Sequence, residues 1–375
     1  MSAAAPPPAP PSPFARAALM AYLLLIVYAS WYPFTGWQEI GVSPLAFLSA
    51  PFPRYWTLFD VLTNVVGYVP FGALLVLALY PRLRGAPAWL LASLAGVLVS
   101  GCMEAVQTFL PNRVSSNVDF FTNAFGVCAG ALLGLLLTRP LLQRGRWRRL
   151  RQHWFAPEAS SGLIVVALWP LAQIYPQAFL FGHGQLLPIL SDWLSGWLSM
   201  PIDLGDLVRR GAELSVEQYW LSETIITACG MSGALLILLS LLQRQAPKLP
   251  LALLLLAAAL TVKSLASALL FAPDNAFVWL TPAAFGGLVI ASIMLSGLIF
   301  TRPQVQRRLA ALMLLICLLL LNIIPANPYF IATLQTWVQG KFLNFNGAAQ
   351  FLSLCWPFFA LWFLLQPVRR IRHTG

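Results

Sequence analysis

Acidic side chains are scarce in this chain, 12 in 375 residues, so where they fall is informative. Two of them open the same pattern. "DVLTNVVG" runs from Asp60 to Gly67 and "DFFTNAFG" from Asp119 to Gly126, both D-x-x-T-N-x-x-G. Between them, "EAVQTFLPNRVSS" supplies Glu104, Gln107, Arg113 and Ser115. Long apolar runs surround all of these residues. A carboxylate inside hydrocarbon is costly, and it points to function and to a named partner. Three carboxylates together suit a divalent cation or general acid–base work, and an arginine beside them suits a phosphate. Each piece also has a plainer reading. An Asp at a helix start caps it, and intramembrane Asn and Gln hold helices together.

The elements that must carry these residues follow from composition. Hydrophobic residues make up 59% of the chain and charged residues 9%, against about 25% charged in a soluble domain. Too few polar groups exist to cover a soluble surface. The chain reads as an all-α polytopic membrane bundle. A span takes about 20 apolar residues. Ten such runs occur, at residues 17–35, 59–80, 87–109, 118–138, 161–181, 219–242, 249–271, 276–300, 309–325 and 350–366. Apolar residues run continuously through each, where a membrane barrel would alternate them. Pro70, Pro170, Pro176, Pro282 and Pro357 fall inside these runs, and each removes a backbone donor.

Between the spans, 17 Lys and Arg fall on one side and 5 on the other, with Lys263 inside a span. Positive-inside asymmetry then places both termini in the cytoplasm. It also accounts for the net charge of +11 without nucleic acid. The largest basic cluster, "RPLLQRGRWRRLRQHW", lies where a cytoplasmic loop belongs. Residues 1–16 read as a disordered Pro/Ala-rich tail, and the first apolar run as an uncleaved helix rather than a signal peptide. Residues 17–138 form a four-helix membrane domain, 139–160 a basic loop and 161–375 a six-span domain. The five cysteines lie in apolar runs without metal-ligand spacing, and His153, His183 and His373 make no triad or zinc site. No cofactor or metal motif is complete.

Orientation gives the opening pattern its geometry. Spans two and four both run inward, so Asp60 and Asp119 start their helices at the outer face. Asn64 and Asn123 follow one turn deeper on the same side, about 6 Å along the axis. Gly67, Pro70 and Gly72 continue span two, while Gly126, Gly130 and Gly134 form a small-xxx-small face for close helix packing. Span three runs outward, with Glu104 and Gln107 facing one direction near its end. The connection "PNRVSSN" brings spans three and four together, with Arg113 as the expected ion-pair partner of Glu104. Asp60, Asn64, Glu104, Gln107, Arg113, Ser115, Asp119 and Asn123 are thus expected to converge on one outward-opening pocket.

The later spans hold less. Glu223 and Lys263 are a candidate charged pair. "LLPILSDWLSGWLSM" places Leu186, Leu190, Trp193, Leu194, Trp197 and Leu198 on one helical face. It reads either as an interfacial helix on the outer leaflet or as a short cap on the bundle. Residues 326–349 read as an irregular aromatic loop.

With "YASWYPF", "DVLTNVVGYVPFG", "EAVQTFLPNRVSSNVDFFTNAFG" and the Gly-rich helix that follows, residues 17–138 resemble the VanZ-like family of bacterial membrane proteins. Asp60, Asn64, Gly67, Pro70, Gly72, Glu104, Gln107, Arg113, Ser115, Asp119, Asn123 and Gly126 fall on that family's characteristic positions. The resemblance implies a multi-pass protein of the bacterial cytoplasmic membrane. It also implies a link to low-level resistance to teicoplanin, a lipoglycopeptide, or to envelope and exopolysaccharide biogenesis. The leading expectation is a protein that binds or handles an envelope lipid, with membrane lipids, a lipid-linked glycan or a lipoglycopeptide as partners. A membrane-embedded enzyme using the carboxylates and a small-molecule or lipid transporter are the alternatives.

Overall fold

The computed structural model describes residues 12–325 and 343–366, except residues 33, 40, 54, 55, 112, 143–145, 157, 158, 213 and 272. Most of the tail expected at 1–16 and of the loop expected at 326–349 lies outside these residues, as do the side chains of the basic cluster at 139–149. The described residues form helices and no strands. The chain divides into two compact units, residues 1–153 and 154–375.

The first unit contains α1 (Pro13–Trp31), α2 (Leu58–Leu79), α3 (Ala86–Gln107) and α4 (Asn117–Leu142), with α5 (Arg146–Trp154) at its end. All four long helices are long and apolar enough to cross a membrane. Their surface is greasy and their interior carries the polar groups. Leu62 and Val66 of α2, Leu94 and Leu98 of α3, and Phe121, Phe125 and Leu136 of α4 are exposed, while Ser100, Glu104, Asn117 and Asn123 are buried. This inversion suits lipid, where no water can satisfy an outward polar group.

Glycine sets the closest contact of the unit. A Cβ on Gly126 would strike the carbonyl of Val65, one on Gly130 that of Val69, and one on Gly134 would come within 2.8 Å of that of Ala73. Both series rise together, so α2 and α4 are parallel. In return, the backbone at Val127 and Ala131 of α4 abuts Gly72. Backbones this close gain dispersion and weak Cα–H···O contacts. Helix α3 runs antiparallel to α4: Gly96 packs on Val127, Gly101 on Phe120, and Trp89 Nε1 donates to Cys128 O. Two of the expected packing residues, Gly67 and Pro70, stand outside this close contact. A Cβ on Gly67 would meet nothing within 4 Å, and Pro70 is exposed.

In the second unit the elements are α6 (Ser160–Ala172), α7 (Leu187–Leu198), α8 (Leu204–Arg209), α9 (Val216–Leu241), α10 (Lys248–Leu270), α11 (Pro282–Leu298), α12 (Pro303–Ile323) and α13 (Leu343–Leu365). Helix α9 is its centre. Of its spanning window 83% is buried, against 33% for α2. A helix that is apolar all round belongs inside a bundle, and α6, α10, α11 and α12 pack on it. Helices α9, α10 and α12 reach spanning length, while α6, α11 and the apolar part of α13 are shorter. The run expected at 161–181 stays helical only to Ala172; Pro176 cannot donate a helical N–H and disfavours helix at the residue before it. The run expected from residue 276 becomes helical at Pro282, behind a Thr281 cap that accepts from Ala284 N. Proline suits that first helical position.

Candidate functional site

Four helix ends meet at one end of the first unit: the C-termini of α1 and α3 and the N-termini of α2 and α4. Each N-terminus carries its own cap. Thr57 Oγ1 accepts from Asp60 N at 3.1 Å, and Asp60 Oδ2 accepts from Thr57 N at 3.2 Å, closing a capping box. Asp60 is therefore the third residue of α2 rather than its cap, and it is exposed. At α4, Ser116 Oγ accepts from Asp119 N at 3.4 Å. The return bond differs. Ser116 N donates to Glu104 Oε2 at 2.9 Å, and Asp119 Oδ1 accepts from Asn64 Nδ2 at 2.8 Å. Carboxylates at helix N-termini are favoured by the free N–H groups and the helix dipole. Sequence reading overlooked Thr57 and Ser116, although [ST]-x-x-[DE] before an apolar run is the signal for them.

Glu104 is 3% exposed. The charge of Asp119 acts on it, and the charge of Asp60 acts on Asp119. Tyr68, one turn past Asn64, feels the charge of Glu104 and stands beside Ser30 and Ser100. Asp60, Asn64, Glu104 and Asp119 therefore do come together. Asn123 lies one turn past Asp119, buried, with its Oδ1 unpartnered. Ser115 also has a buried, unpartnered hydroxyl.

Arg113 does something other than expected. It forms no ion pair with Glu104. Its Nη2 donates to Ala29 O at 3.2 Å and Tyr32 O at 2.7 Å. These carbonyls close α1, where the helix has run out of its own donors and a cation is favoured. Burial lowers the pKa of the guanidinium from its ordinary value. Gln107 does the same work, donating to Ser30 O at 3.1 Å. Arg113 and Gln107 are thus fastened to the end of α1, and Tyr22 Oη ties its middle to Gly67 O at 2.6 Å. Among the described residues, no group of three or more His, Cys, Asp and Glu is arranged to hold a metal ion.

These contacts lie wholly within the stretch that the family comparison picks out. Residues 17–138 match the VanZ/LLP1 family model. The VanZ-like region is α1 to α4 as far as Thr138, and the longer chain carries additional helices beyond it. No curated protein and no solved structure matches the chain.

Outside the VanZ-like region, the expected pair of Glu223 and Lys263 is not formed. Glu223 Oε1 accepts from Thr281 Oγ1 at 2.6 Å, at the cap of α11. Lys263 is 3% exposed, and its charge acts on His183. His183, which the sequence leaves as a lone loop residue, is buried among Gln173, Gln177 and Ser353. Gln173 Nε2 faces the ring Nε2, Gln177 Nε2 faces Nδ1, and Ser353 Oγ lies 3.2 Å from Nδ1, so each ring nitrogen of a neutral imidazole has a polar partner. Burial, reinforced by the charge of Lys263, pushes this imidazole down to about 3. These glutamines carry no sequence signal that sets them apart from other loop amides.

Proposed function

We propose that the VanZ-like region binds the headgroup of an envelope lipid or glycolipid at the helix ends where Asp60, Asn64, Glu104 and Asp119 gather. In this reading that end faces outward from the bacterial cytoplasmic membrane, as the positive-inside count suggests. One observation carries the reading. Glu104 is almost wholly buried in an apolar bundle, held by one backbone N–H and beside a second carboxylate. Such an arrangement is expensive to keep for packing alone, and intramembrane ionisable groups mark ligand or ion pathways. The exposed apolar side chains of α2 and α4 offer a lipid-compatible wall beside it. Teicoplanin susceptibility and exopolysaccharide or envelope integrity are the phenotypes that this binding would serve.

The test uses the full chain. Glu104→Gln and Asp119→Asn variants are purified beside wild type, and co-purifying lipid is identified by native mass spectrometry. A deletion strain carrying each variant is scored for survival under teicoplanin or envelope stress. The expected result is loss of the bound lipid and loss of complementation in both variants. Lipid retention and complementation equal to wild type in both would overturn the reading.

A further inference from the structure

The proposed lipid-headgroup site can be taken one step further, to the chemistry of the headgroup. Three of the protein's own donors there are already committed, and the unpartnered hydroxyls of Ser100 and Ser115 can accept as well as donate. Asn64 Nδ2 is given to Asp119, Ser116 N to Glu104, and Arg113 Nη2 to the end of α1. Among the described residues, none of Asp60, Glu104 and Asp119 forms an ion pair; the ion pairs found join Arg209 to Asp203 and Asp206 in the other unit. Acceptors remain in excess. Asn123 Oδ1 is buried and unpartnered, at 5% exposure of the residue. Asn123 follows Asp119 by one turn on the same face of α4. The antiparallel contacts of Gly96 with Val127 and of Glu104 with Ser116 set Ser100 of α3 within one turn of Asn123. Asn123, with its orphan amide oxygen, thus shares the face of α4 that carries Asp119, near the seam with α3.

We infer that the headgroup taken here is a primary ammonium carried by a lipid. An ammonium offers three N–H donors, no acceptor and one positive charge. It would satisfy Asn123 Oδ1 and offset the carboxylates in one step. A phosphate, which the sequence suggested through Arg113, has only acceptors and negative charge, and it would meet carboxylates while the arginine is engaged elsewhere. Exposed Leu62, Val66, Phe121 and Phe125 on α2 and α4 supply the surface for acyl chains.

The experiment measures binding of the full chain in detergent to four probes by native mass spectrometry and thermal shift. The probes are phosphatidylethanolamine, phosphatidylcholine, phosphatidylglycerol and free ethanolamine. Phosphatidylcholine keeps the charge of the amine and removes its N–H donors. The expected result is that phosphatidylethanolamine binds about tenfold more tightly than either other lipid, a difference typical of one charge-assisted hydrogen bond. Glu104→Gln and Asn123→Ala should each erase most of that preference. Glu104→Gln keeps an acceptor for Ser116 N and should fold; Gly67→Ala, whose added methyl would meet nothing within 4 Å, should keep the preference and serves as the control. Equal binding of all three lipids that Glu104→Gln still abolishes would overturn the ammonium and leave the lipid site standing. A preference that Glu104→Gln, Asp119→Asn and Asn123→Ala all leave intact would overturn both. Free ethanolamine binding as tightly as the lipid would overturn the lipid source.

Discussion

The two copies of D-x-x-T-N-x-x-G share a sequence and a helix position, yet they do different things. In the first, Thr57 and Asp60 close a capping box on themselves, and Asp60 stays exposed. In the second, the box is open. Glu104 takes the Ser116 N–H, which releases Asp119 to accept from Asn64 of the first copy. The glycines diverge too: a Cβ on Gly126 would strike the Val65 carbonyl, while one on Gly67 would meet nothing within 4 Å. A third helix beside one copy is enough to turn a local cap into a cross-helix site.

That contrast can be broken by substitution. The largest effect belongs to the glycine row. Gly126→Leu and Gly130→Leu should each destabilise the VanZ-like region by about 3 kcal/mol or more, since backbone rather than a movable side chain blocks the new atoms. Gly67→Leu, at the matching place of the first copy, should stay within about 0.5 kcal/mol. Thermal unfolding in detergent with size-exclusion chromatography would show it, and equal losses at Gly67 and Gly126 would erase the contrast. Next comes Glu104→Ala, which strands the Ser116 N–H and should cost about 1–3 kcal/mol; Glu104→Gln should cost less, and the two midpoints are to be compared. Asn64→Ala removes the bond to Asp119 and should cost about 0.6–1.7 kcal/mol, the range for interhelical bonds in membranes. Asn123→Ala, with no bond from its Oδ1 to lose, should be milder in the same assay. Smallest is the difference between caps. Thr57→Ala should cost about 1 kcal/mol, and Ser116→Ala less, because its 3.4 Å bond is the longer one. Hydrogen exchange at the first turns of α2 and α4 would resolve them.

Much of the scaffold could be read from residue types. Each of the ten apolar runs holds a helix, those at 161–181 and 276–300 over only part of their length, and the Gly126–Gly130–Gly134 spacing marked the face on which α2 packs. The parallel course of α2 and α4, expected from alternating spans, is seen in their matched contacts. The site was less legible. Charge complementarity suggested Arg113 for Glu104, but the arginine is held by backbone carbonyls of Ala29 and Tyr32. Every residue has a carbonyl, so such acceptors leave no trace in sequence. The pair of Glu223 and Lys263 failed for a related reason: a cap hydroxyl, Thr281, reaches Glu223 instead. Pattern matching also stopped one turn short. Extending each motif three residues back brings in Thr57 and Ser116, and with them the caps that distinguish the copies.

The glycine row has a consequence for how the protein is made. Parallel helices cannot be joined by a hairpin, so α2 must wait for both α3 and a reversal of the chain before α4 arrives. Asn64 and Asp119 are 55 residues apart along the chain. Until α4 enters the bilayer, Asn64 has no Asp119, Glu104 has no Ser116 N–H, and the carbonyl row of α2 faces lipid. A nascent chain halted before Ser116 would carry the Glu104 carboxylate without the N–H that receives it, and would be a natural substrate for membrane quality control. The last of the four helices is therefore the step at which the site, and the stability of the region, come into being together.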